Sequence, residues 1–105
     1  MIDTEIRTLL NAPADGVGAP PLAHLEDTLT AGYAHALALE AERWRLERRI
    51  AEVAAALEDH QGPLRSSELR KLSRSLKTAT ADLTELRALL GSLRQRAAEV
   101  RTSAA

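Results

Sequence analysis

Along two long stretches of the chain apolar residues step 3 and then 4, and a single Gly-Pro break separates the stretches. The first reads Leu22, Leu25, Leu29, Gly32, Ala36, Leu39, Arg43, Leu46, Ile50, Val53 and Leu57. The second reads Leu69, Leu72, Leu76, Ala79, Leu83, Leu86, Leu90, Leu93, Ala97 and Val100. Alternating steps of this kind average about 3.5 residues, the period that keeps one seam of a helix against a partner helix. Between them, Gly62 supplies a left-handed stop and Pro63 forbids continuation. The pattern predicts an all-α fold: a long antiparallel two-helix coiled-coil hairpin over 22–105. Its first helix is expected over about 21–59, the turn over 60–65, and its second helix over about 66–102. Ser66 or Ser67 is the expected cap of the second helix, with Glu68 well placed in the positive first turn.

Residues 1–21 form a separate segment. Ile2, Ile6, Leu9 and Leu10 predict a short amphipathic helix over 2–10, with Asp3 as its candidate cap. A helix this short needs tertiary contacts to persist. Asn11 to Pro21 holds three Pro and two Gly without periodicity, which reads as a linker.

In an antiparallel hairpin, facing seam residues have numbers with a constant sum. A sum of 129 pairs Leu57 with Leu72, Ile50 with Ala79, Leu46 with Leu83 and Leu39 with Leu90. It sets Gly32 against Ala97 and Arg43 against Leu86, with the Arg43 stem packed and its guanidinium reaching a carboxylate such as Glu47. The expected flanking pairs are Glu26 with Arg101, Glu40 with Arg87, Tyr33 with Arg94, and Arg49 with Asp82.

The net charge of −1 conceals segregation. Residues 20–60 carry eight acids and four Arg, whereas 61–105 carry nine bases and four acids, so the two helices have complementary charge. No Cys is present among the 105 residues, which excludes disulfides, thiolate metal sites and a thiol nucleophile. The acidic start and the lack of a long uncharged run predict a cytoplasmic protein without a membrane span.

A two-helix hairpin should be polar on its outer faces, yet the first helix is apolar nearly all round between Thr30 and Ala41. Such a helix is covered on more than one side. Tyr33, Ala34, Leu37, Ala41, Trp44, Ala88 and Gly91 are the candidate oligomer interface, and pairing of two hairpins into a four-helix bundle homodimer is the expected cover. The competing cover is the 2–10 helix folded over Tyr33, Leu37 and Trp44.

Catalytic patterns are lacking: there is no nucleotide loop, zinc spacing or nucleophile elbow. His24 and His35 stand about three turns apart, too far for one metal. Glu58, Asp59 and His60 near the turn read as solvated residues, not a cation cage. The expectation is therefore no enzyme, no cofactor and no metal. Arg45, Arg48, Arg70, Lys71, Arg74 and Lys77 form a turn-proximal basic cluster, the candidate contact for a partner or for phosphates. The sequence thus predicts a homodimeric interaction or adaptor module that engages an unidentified protein. A nucleic-acid-binding hairpin is the alternative.

Overall fold

The computed structural model describes residues 1–59 and 63–104, with Pro63 and Ala104 described by backbone alone. Three helices account for most of it: α1 (Ile2–Asn11), α2 (Leu22–Glu58) and α3 (Pro63–Ala104). The two long helices pack together as a hairpin. The Gly62 stop and His60 lie outside the described residues.

Local chemistry sets the helix ends. The N-cap of α1 is Met1, without a side-chain cap, so Asp3 lies inside the first turn with Glu5, where both complement the helix dipole. Its C-cap, Ala12, is extended, as a residue before proline prefers. In the linker, Gly16 and Gly18 take positive φ, and the Ala19 N–H closes a turn onto the Gly16 carbonyl. The Pro21 carbonyl then accepts from the N–H groups of His24 and Leu25, which starts α2. Helix α2 ends at Glu58, ahead of Pro63, and Pro63 itself opens α3, because the first helical position needs no N–H. Helix α3 thus starts ahead of Ser66, and both candidate capping serines lie inside it.

The chain divides into two compact units. The first comprises Met1–Leu37 and Thr84–Ala105; the second comprises Ala38–Leu83. In the first unit α1 makes a third helix on the hairpin. Ile6 is fully buried, and Leu9, Leu25, Thr28, Ala36, Leu86, Leu90, Leu93 and Ala97 are buried with it. The Thr28 hydroxyl satisfies itself by donating to the His24 carbonyl. Gly32 provides the seat: a Cβ there would collide with Leu90 Cδ2 and stand 3.5 Å from Ile6 Cδ1. Arg96 fixes the end of α1 by donating to the carbonyls of Leu10 (3.1 Å) and Ala12 (3.3 Å), while Arg7 pairs with Glu85. These carbonyls are the acceptors a helix C-terminus leaves open, and α1 has no basic residue in its own last turn.

The second unit has only two helices, and its seam is correspondingly thin. Val53, Ala79 and Leu83 are buried, whereas Leu46, Ile50, Leu69, Leu72 and Leu76 are half-buried. Without a third helix these five seam residues keep one side in water.

The seam register differs from the expected one by one heptad. In the first unit Gly32 meets Leu90, whose numbers add to 122, not 129. In the second unit Arg49 bonds Glu68, not Asp82. Both occupy the g position, and g residues of an antiparallel pair meet at the seam sum plus about 2 or minus about 5. Their sum of 117 matches 122, and a helix break between Glu58 and Pro63 centres the turn near the same value. Each small residue now faces a larger one: Gly32 faces Leu90, Ala36 faces Leu86, and Leu25 faces Ala97 in the first unit. In the second, Arg43 faces Ala79 instead of Leu86, which leaves room for its stem, and its guanidinium reaches Glu47 at 3.5 Å.

Candidate functional site

Two exposed flanks carry the candidate residues. In the first unit, α1 covers the Thr28 side of the seam and leaves the Tyr33 side open. Tyr33 is 41% exposed and Leu37 is 67% exposed, so α1 does not fold over them. Ala34 and Ala88 are exposed beside them, and a Cβ at Gly91 would touch nothing within 4 Å. Leu37 and Gly91 share one flank because both occupy the b position of an antiparallel pair.

Ala41 and Trp44 continue the same helical spacing on α2 but belong to the second unit. Trp44 is 60% exposed, and the Arg48 guanidinium lies over its ring at 4.9 Å from the centroid. This cation–π contact gives the indole one charged neighbour. The expected contact of Tyr33 with Arg94 is not among the ring contacts of the described residues.

The basic cluster also belongs to the second unit, and its members are exposed. The structure sorts its cations by flank. Lys71 and Arg74 line a shallow groove of about 440 Å³ together with Glu42, Asp82, Thr78 and Leu39. Arg70 and Lys77 take the b position of α3, on the side where Trp44 takes the b position of α2. Arg45 stands on the outer c position of α2. Among the described residues no carboxylate lies within ion-pair distance of Arg45, Arg70, Lys71, Arg74 or Lys77.

Glu68 and Glu52 are engaged by arginines outside this cluster. Arg49 donates from Nε (3.1 Å) and Nη2 (2.6 Å) to Glu68 Oε1 and from Nη1 to Glu52 (3.3 Å). Arg65 donates to the other oxygen of Glu68 at 3.1 Å. The Glu68 carboxyl is held below the usual carboxylate range, chiefly by the Arg49 hydrogen bond and, against the opposing effect of desolvation, by Arg65 as well. The same bonds from Glu68 and Glu52 raise Arg49. The shifted register hid this network from the sequence; at a sum of 122 the two g residues fall together.

Chemically, these flanks offer apolar contact, an aromatic face and unpaired cations. Among the described residues there is no cluster of His, Asp and Glu able to hold a metal, and no helix is long and apolar enough to cross a membrane. In the expected acidic tip Glu58 and Asp59 are exposed. Compared with known proteins, the chain matches no family model, no curated protein and no solved structure.

Proposed function

We propose that the chain is a non-enzymatic helical-hairpin interaction module that pairs with a second copy of itself. The observation that carries this is the exposure of Leu37 and Tyr33 on the flank that α1 leaves open. A side chain as large as Leu costs about 1.5–3 kcal/mol to keep in water instead of a core. The neighbouring Ala34, Ala88 and Gly91 let a second helical pair approach closely. Gly91 strengthens the argument, since a glycine inside a helix costs about 1 kcal/mol relative to alanine and gains no packing within the chain. A twofold pairing of this flank makes a four-helix contact from one self-complementary patch. Ala41 and Trp44, the other members of the candidate interface, belong to the second unit and are not part of this proposed contact.

Sedimentation equilibrium tests the proposal. A homodimer gives a mass twice the 11.4 kDa of the chain at micromolar concentration. A mass of 11.4 kDa across the accessible range would refute it.

A further inference from the structure

Beyond self-pairing, and independent of it, the second unit carries a flank suited to a different class of partner. Three of its arginines are committed within the chain: Arg43 to Glu47, Arg49 to Glu52 and Glu68, and Arg65 to Glu68. Arg70 and Lys77 are not. They stand seven residues apart on α3, two turns or about 10 Å along the helix, and no carboxylate of the described residues reaches them. The antiparallel pairing brings Trp44 to the same flank, 60% exposed although Arg48 lies over its ring. Of the acids on this flank, Glu47 is engaged by Arg43 and Glu40 is not free either, while Glu58 stands exposed at the last position of α2 without reaching either cation. The opposite flank differs, since Lys71 and Arg74 share their groove with Glu42 and Asp82.

A solvent-exposed indole beside unneutralised cations matches the chemistry of a single-stranded polynucleotide. Bases stack on an aromatic face, and phosphates lie along positive charge. We infer that the second unit binds single-stranded nucleic acid along the flank formed by Trp44, Arg48, Arg70 and Lys77. Trp44 stacks on a base, Arg48 backs the indole and meets a phosphate, and Arg70 and Lys77 follow the strand. Few contacts of this kind give weak, salt-sensitive binding without base specificity.

The chain has a single Trp, so intrinsic fluorescence reports this site alone. The test titrates the full chain with a labelled oligothymidylate of about 16 nucleotides, the upper end of what a small domain covers. Anisotropy and Trp emission are followed between about 50 and 200 mM salt. Binding is expected, with Trp quenching and a steep loss of affinity as salt rises. The double variant Arg70→Gln, Lys77→Gln should flatten the log–log salt slope by about 1.4, at about 0.7 per lost phosphate contact. Trp44→Leu should weaken binding about tenfold, within the range for one stacked base, and Trp44→Phe should recover most of it. Circular dichroism identifies variants that keep their helices. No binding at low salt would overturn the inference. So would inorganic polyphosphate binding equally well without changing Trp emission, or Lys71→Gln, Arg74→Gln matching the loss of the Arg70, Lys77 variant.

Discussion

Arg49 grips one carboxylate oxygen of Glu68 with two of its nitrogens, at 3.1 and 2.6 Å, across the two long helices. This contact belongs to one register of the hairpin, and the neighbouring register a heptad away cannot make it. Isolated exposed pairs contribute little stability, so the bond acts mainly to select the alignment.

Cysteines placed at 46 and 76, whose numbers add to 122, should join within one chain under mild oxidation. Cysteines at 46 and 83, which face each other in the alternative register, should not. Mapping the linked peptides by mass spectrometry decides between the registers, and efficient linkage of 46 to 83 would restore the alternative.

Acid should weaken this contact with a defined sign. The folded carboxyl of Glu68 titrates below its unfolded value, so its contribution is complete above the ordinary carboxylate range, about pH 4.5. The contribution fades as pH falls through the lower folded value. Urea midpoints of wild type and Glu68→Gln should therefore differ at pH 7 and draw together as pH falls progressively below the ordinary carboxylate range. A gap that widens in acid would contradict the assignment.

Much of the fold is legible in the residues, and the missing part has a physical cause. A 3-4 repeat announces helices and their seam, but a seven-residue slip maps every seam position onto another seam position. The Glu26–Arg101 pair, 3.4 Å apart, sums to 127 and satisfies both registers, so it does not discriminate. The deciding signal was size: Gly32 against Leu90 and Arg43 against Ala79 fill space that Gly32 against Ala97 would leave empty. The seat of α1 was less visible, because a linker over 12–21 reaches either flank, and the notch at Gly32 together with the Arg96 and Glu85 contacts selects one. For the basic cluster, the residue types were evident, whereas their division between a flank bearing Trp44 and one bearing Glu42 and Asp82 required the register.

The two helical glycines should respond oppositely to alanine. Gly32→Ala drives its Cβ into the buried Leu90 side chain, and overpacking at about 1–3 kcal/mol should exceed the roughly 1 kcal/mol gained in helix propensity. Gly91→Ala meets open space within the chain and should stabilise the isolated chain by up to about 1 kcal/mol. Thermal unfolding at dilute concentration checks both signs.

Truncating Ile6, fully buried beneath α1, should cost about 2–5 kcal/mol locally. Since a ten-residue helix does not stand alone, Ile6→Ala should release α1 as a unit. Hydrogen exchange should then show lost protection over 2–11 with protection retained over 46–57 and 68–76. Uniform loss across the chain would mean that α1 does not unfold separately.

Self-pairing through the open flank is tested most directly by comparing two exposed leucines. Leu37 is 67% exposed on the proposed contact, and Leu64, 85% exposed, lies near the start of α3 in the other unit. Light scattering at micromolar concentration should give a dimer for wild type and for Leu64→Glu, and a monomer of unchanged helicity for Leu37→Glu. A Leu37→Glu protein that stays dimeric, or a wild type that is already monomeric, would contradict the proposed function.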